Sequence, residues 1–210
     1  MIIDVRDYRT VPGKRDQLIE RCERELFPEQ ERLGARVVGS FRDAGDSDRF
    51  LFLRGMPDLP TRQRVCEAFY AHGEMWRRAR DEVNACIDDS DDVLLVRPIG
   101  ELVAPAPAPA GGAATTEVGY FSHVTRAPLE PGHAAALQRD VPVAIARAGG
   151  RVVVTVATDP ADNNYPRHPI RTGEHGLLWF ASFPAGRLRA VSHGGITPRR
   201  LVPTATSRLR

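Results

Sequence analysis

Residues 7–18, DYRTVPGKRDQL, run from an alternating stretch through Pro12-Gly13 into helix formers. Residues 125–137, TRAPLEPGHAAAL, repeat that grammar around Pro131-Gly132. A chain that opens the same way twice is a candidate internal repeat, and the repeat decides the fold. Ahead of the first break, IIDVRDYR places Ile3 and Val5 on one face and Asp4, Arg6 and Tyr8 on the other, as in a half-buried strand. After it, Leu18, Ile19, Cys22, Leu26 and Leu33 recur at helical spacing, with Pro28 as the expected kink or break. ARVVGSFRD and DRFLFLRG flank AGDS as two strands around a turn. A second helix is expected from an N-cap at Thr61, with Val65, Phe69, His72, Trp76, Ala79, Val83 and Ile87 on one stripe. DDVLLVRP then closes a ferredoxin-like βαββαβ unit.

Residues 99–116 contain APAPAPAGGAATT, whose alternating Ala-Pro is stiff and extended and whose Gly-Gly is loose, so they read as a linker. From 117 the order restarts. EVGYFSHVTRA is a strand, GHAAALQRDVPVAIARAG a helix that Pro142 could interrupt, and GRVVVTVATD and GLLWFASF two further strands. AGRLRAVSHGG reads as a short second helix and PRRLVPT as a weak last strand. The long segment PADNNYPRHPIRTGEH stands where the first unit has a tight turn. The expected architecture is α+β: two tandem ferredoxin-like βαββαβ units, residues 1–98 and 117–210, forming a dimeric α+β barrel within one chain. A ferredoxin-like sheet covers one face with its own helices and leaves the other bare, so two units bury their bare faces together and the linker holds them close. Asp4, Arg6 and Tyr8 are expected between the sheets, as an ion-paired layer for which packing and register are favoured over catalysis.

The totals narrow the function classes. The 210 residues are 42% hydrophobic and 27% charged, as in an ordinary globular chain, with a net charge of +2. The positive charge is arginine except for Lys14 and is spread along the chain, which argues against nucleic acid as a partner. MIIDVRDY has charges where a signal peptide needs an apolar run, and no stretch is long enough to cross a bilayer. The expected location is the cytoplasm. Cys22, Cys66 and Cys86 lack metal-ligand spacing and lie inside helical patterns, as reduced core thiols would.

IDVRDYRTVPGK resembles the opening signature of the NIPSNAP family, an acidic-apolar-Arg-x-Tyr strand leading into Pro-Gly-Lys, here Asp4, Val5, Arg6, Tyr8, Pro12, Gly13 and Lys14. LGARVVGSFRDAGDSDRFLFL is similar to the family's next block, and RQRVCEAFYAHGEMW to its helix ending before Glu-x-Trp. The resemblance covers the first half directly and the second by repeat logic. It implies a dimeric α+β barrel, often with two units per chain, and bacterial members that accompany biosynthetic pathways. Related barrels include cofactor-free oxygenases, cyclases and haem-degrading enzymes. Fold does not fix chemistry. Where the family carries Asp-Pro before Glu-x-Trp this chain has His72-Gly73, a poorer helix start, which suggests another reason to keep His72 there.

The candidate chemistry rests on histidines and aromatics. His72, with Tyr70 and Trp76 nearby, could take a proton from a phenol or an activated carbon, or could be a core histidine bonded to a carbonyl. In the second unit His123 falls mid-strand, and His168 and His175 bracket a loop that also carries Tyr165. A loop of that length either lids a site or covers a sheet edge. Trp179 could floor a pocket for a planar ligand. The expected catalytic bases are therefore His72, His123 and His175. Arg42, Tyr70, Trp76, Tyr165, His168 and Trp179 are the expected substrate-binding residues. No spacing suits a metal, and no phosphate loop, dinucleotide fingerprint or nucleophile elbow occurs, so no cofactor is expected. The resulting expectation is a bacterial enzyme of specialised, polyketide-like or aromatic metabolism. It would run acid-base chemistry (cyclisation, isomerisation, dehydration or oxygenation) on a hydrophobic or aromatic small molecule, with a homodimer open. A non-catalytic small-molecule or protein-binding module and a haem-binding barrel are the competing readings.

Overall fold

The computed structural model describes residues 1–100, 116–188 and 191–209. Most of the expected Ala/Pro linker lies outside the described residues. Nine strands carry the architecture: β1 (Ile2–Thr10), β2 (Arg36–Asp43), β3 (Arg49–Met56), β4 (Ile87–Asp89), β5 (Val93–Pro98), β6 (Thr116–Thr125), β7 (Arg151–Thr158), β8 (His175–Pro184) and β9 (Arg199–Pro203). Their order is β3-β2-β9-β6-β8-β7-β5-β1, and β1 pairs back onto β3, so eight strands close a barrel while β4 flanks β1. Each half contributes the ferredoxin-like order, β2-β3-β1-β5 and β9-β6-β8-β7. The halves join along two antiparallel seams, Phe41↔Pro203 to Asp43↔Leu201 and Val96↔Thr158 to Pro98↔Val156. Closure leaves none of the eight barrel strands with a free edge among the described residues, and the two units form an intrachain dimeric α+β barrel.

The barrel interior is one apolar cluster drawn from both halves. Ile3, Val5, Leu53 and Phe41 of the first meet Val154, Val156, Leu178 and Phe180 of the second, and the Phe41 and Phe180 rings stack at 6.1 Å. Each such side chain stabilises the closed barrel by about 1.5–3 kcal/mol on burial. This inverts the expected faces of β1. Ile3 and Val5 point between the sheets, whereas Tyr8 packs with Leu18, Ile19 and Phe69 beneath the helices, and Asp4 and Arg6 share its face. Period-two alternation separates two faces of a strand but does not say which one meets the helices.

The helices also show where local signals mislead. Residues 15–32 form one continuous helical run, α1 (Arg15–Arg21), a π turn (Cys22–Leu26) and α2 (Phe27–Arg32). The wide turn sits just before Pro28, which has no N–H to give, so the helix bulges instead of breaking. In α3 (Leu59–Cys66) the cap is Asp58, not Thr61; its carboxylate accepts from the Thr61 N–H at 2.7 Å. A second π turn (Glu67–Ala71) leads to α4 (Glu74–Asn84). In the second half α5 (Pro131–Arg147) runs through Pro142 unbroken. The expected second helix at 185–195 does not form among the described residues. Gly186, Gly194 and Gly195 take left-handed φ of +83°, +56° and +80°, and Leu188 and Val191, whose spacing imitates a helix face, plug the cluster under α5. Cys22, Cys66 and Cys86 are buried free thiols, and no described helix is long and apolar enough to cross a membrane.

Candidate functional site

The outward face of β1 meets that of β3 in register, Asp4 beside Arg54, Arg6 beside Phe52 and Tyr8 beside Phe50. α3 adds Arg62 from above. The Asp4 carboxylate accepts from Arg54 Nε at 3.2 Å and Nη2 at 2.5 Å and from Arg62 Nε at 2.8 Å, with Arg6 Nη1 at 3.8 Å. All four side chains are at most 1% exposed, so three cations share one carboxylate out of water. Burial alone would push the Asp4 carboxyl up; the three guanidinium groups outweigh it and hold it well below the usual range. The surplus positive charge is passed to two phenols. Arg6 Nε donates to Tyr8 Oη at 2.8 Å, and Arg54 Nη1 donates to Tyr70 Oη at 3.1 Å and to Gln30 Oε1 at 3.2 Å. Burial pushes Tyr8 up to about 12, so it stays a neutral hydroxyl.

Beside this layer lies a cavity of about 80 Å³ lined by Tyr8, Phe52, Phe69, Tyr70, Trp76 and His168 among others. Trp76 stands edge-on to Tyr70 at 5.1 Å, and the His168 ring lies 3.8 Å from Tyr70. Tyr165 is buried and stacks on both, at 6.3 Å from Tyr70 and 5.6 Å from His168. His168 and Tyr165 arrive on the loop between β7 and β8, so the second half closes the pocket of the first. The loop is tied down through Arg62 Nη1 to Asn164 Oδ1 at 2.7 Å, Asn164 Nδ2 to the Leu59 carbonyl at 2.6 Å, and Arg171 to Asp92 at 2.8 Å. Asn164→Ala removes the first two bonds, each worth about 1 kcal/mol net. Cleavage by trypsin at exposed Arg167 is expected to quicken about fivefold to tenfold under native conditions, read on a gel time course.

His168 is neutral in this setting. Burial, then the charges of Arg6 and Arg54, push its imidazole down to about 3. The unfolded chain, with an ordinary value near 6.5, takes up a proton that the folded chain refuses. Stability is therefore full above about pH 6.5 and falls by up to ~1.4 kcal/mol per pH unit on the way down towards pH 3. Urea unfolding over that range should show the slope, and His168→Gln should flatten it above about pH 4, where Asp4 begins to contribute.

The structure thus brings together Tyr70, Trp76, Tyr165 and His168 and scatters the other five expected residues. His72 is exposed; the constraint at His72-Gly73 is the glycine, where a Cβ would stand 2.2 Å from the Phe69 carbonyl oxygen. His123 is half-buried near the end of β6 against His133, at 5.2 Å. His175 borders a separate groove of about 290 Å³ with Asp159 and Glu174. Arg42 donates to Asp16 at 2.7 Å on the rim. Trp179 is fully buried among Phe121, Ile145 and Phe183 under α5. A larger open hollow of about 630 Å³ beside Asp43, Leu188 and Arg199 has no histidine, cysteine or tyrosine among its described residues, and its Arg199 is paired with Asp7 and Asp43. Sequence reasoning missed Arg54 and Arg62 altogether and favoured packing and register over catalysis for Asp4, Arg6 and Tyr8. The available signal was a lone arginine inside the otherwise apolar RFLFLRGM, opposite a strand whose polar face carries an aspartate.

The NIPSNAP family model matches residues 3–98. No curated protein matches the chain. Among solved structures, a candidate monooxygenase from Fusobacterium nucleatum is similar over 96% of this chain and 91% of its own, with a TM-score of 0.60 at 8% identity. An anthrone oxidase-like protein aligns over 97% of this chain and 91% of its own, with a TM-score of 0.51 at 14% identity. A NIPSNAP domain protein from Burkholderia xenovorans aligns over 47% of this chain and 95% of its own, with a TM-score of 0.42 at 19% identity. The first two likenesses show the barrel shared across both halves. The arginine layer and most of the cavity lining fall within residues 3–98, the segment similar to the NIPSNAP family.

Proposed function

We propose that this chain is a small-molecule enzyme that ionises a planar, enolisable aromatic ligand, of the kind polyketide pathways make, without a bound cofactor. The observation that carries the reading is the pairing of a neutral His168 with Tyr8 and Tyr70, two hydroxyls polarised by buried arginines, at one aromatic-walled cavity. A phenol or enol whose proton leaves towards an imidazole, with its oxygen facing such donors, is stabilised where its charge develops. Two barrels similar along the whole chain are described as a candidate monooxygenase and as anthrone oxidase-like, and an anthrone is an enolisable aromatic ketone. Once formed, the enolate can isomerise, cyclise or react with dioxygen. At about 80 Å³ the closed cavity holds only a few heavy atoms, so a ring-bearing ligand enters when the β7–β8 loop lifts. The test is oxygen uptake and absorbance change with anthrone as the probe, in chelated buffer. Acceleration of at least about tenfold over buffer is expected, about 1.4 kcal/mol off the barrier. A rate equal to that of buffer would remove the proposal.

A further inference from the structure

We infer that the cavity takes its ligand as an oxyanion, a phenolate or enolate, seated against the hydroxyls of Tyr8 and Tyr70 with the guanidinium groups of Arg6 and Arg54 behind them. This rests on the reading above and deepens it by assigning the ligand's charge state. The first support is a charge count. Arg6, Arg54 and Arg62 are buried with Asp4 as their one carboxylate partner. A guanidinium cannot neutralise itself by losing a proton, so the surplus persists at any working pH. The second is an unmet donor. Arg6 Nη1 is buried with no hydrogen-bond partner, although Nε of the same group is bound to Tyr8 Oη and the guanidinium carbon lies 5.2 Å from the Tyr8 ring centre. A buried charged donor that comes no nearer to a carboxylate than 3.8 Å is costly, and the Tyr8 hydroxyl bound to the same guanidinium belongs to a side chain that lines the cavity.

The third support is directional. Each tyrosine oxygen already accepts from a guanidinium, which leaves its own O–H to be donated. Two such hydroxyls suit a single ring oxygen, and the flanking Phe52, Phe69 and Trp76 suit the ring that bears it. On binding, the ligand's O–H bond breaks, the electron pair stays on its oxygen, and the proton passes to water or to the His168 imidazole.

The probe is 4-nitrophenol, which is strongly yellow only when ionised, titrated across pH with the full-length protein. Its apparent pKa when bound should lie at least about one unit below that of the free dye, a tenfold preference for the phenolate. Arg6→Met should abolish the shift with circular dichroism unchanged. If that variant does not fold, the wild-type titration and Tyr70→Phe, which should shrink the shift, still decide. A bound dye with an unmoved or raised pKa, absence of dye binding, or a full shift in folded Arg6→Met overturns the inference. The dye is not enolisable to a ketone, so its outcome is separable from anthrone turnover. A shift without turnover removes the proposed reaction and keeps the oxyanion site; turnover without a shift does the reverse.

Discussion

Asp4→Asn is expected to destabilise the protein by about 3–5 kcal/mol, the usual cost of leaving buried charge uncompensated. The change keeps the side chain's shape and one carbonyl oxygen, so packing accounts for little of it. What it removes is the negative charge shared by Arg54, Arg62 and Arg6, all inside the molecule. A lysine cluster could relieve itself by shedding a proton, but guanidinium groups do not. They must then repel one another in a low dielectric, admit water, or unfold the face they occupy. The measurement is urea unfolding followed by circular dichroism, with Asp16→Asn as control. Asp16 pairs with Arg42 at the surface and should cost under about 1 kcal/mol. An Asp4→Asn loss as small as the control's would mean that the layer is wet. Acid should mimic the variant. The folded carboxyl titrates below its unfolded value of about 3.9, so its contribution is complete above that pH and disappears as pH falls below it.

The asymmetry between fold and site in what the sequence reveals has a physical cause. The repeated Pro-Gly break, the linker composition and the strand patterns are local, and they suffice for two units and hence for a closed barrel. The side of β1 that would face the helices was not local information. It depends on Ile3 and Val5 finding Val154 and Phe180 in the other half, which turns Asp4, Arg6 and Tyr8 outward beneath α1 and α4. The same holds for the histidines. All six are equivalent as sequence symbols, and His168 is set apart by a loop that docks across the barrel onto Tyr70 and Arg62. The length of that loop allows either a lid or an edge cover, and nothing in it says that it covers the first unit instead of its own. The departure at His72-Gly73 drew attention to the wrong partner, because a backbone contact at Phe69 demands the glycine and leaves the histidine in solvent.

His168→Ala is expected to lower kcat for an enolisable aromatic substrate by about 10²–10⁴-fold with a smaller change in KM, the usual scale for loss of a positioned general base. An imidazole pushed down to about 3 looks like a weak base, and in the empty site it is one. The depression is largely burial plus the charge of Arg6 and Arg54, and the second part is cancelled when an anion forms beside them. Proton transfer from ligand to His168 therefore creates the negative charge that makes the imidazolium tolerable, and the pair is stabilised together. Removing the ring leaves the arginines able to hold the anion but nothing placed to take its proton except water. That is why the loss should fall on kcat. His72→Ala and His175→Ala, whose rings lie in solvent and in a separate groove, should keep turnover within about twofold. Steady-state kinetics on the three variants decides the matter. Equal losses in all three would place the chemistry elsewhere, and an unchanged His168→Ala would leave the imidazole as no more than a wall of the cavity.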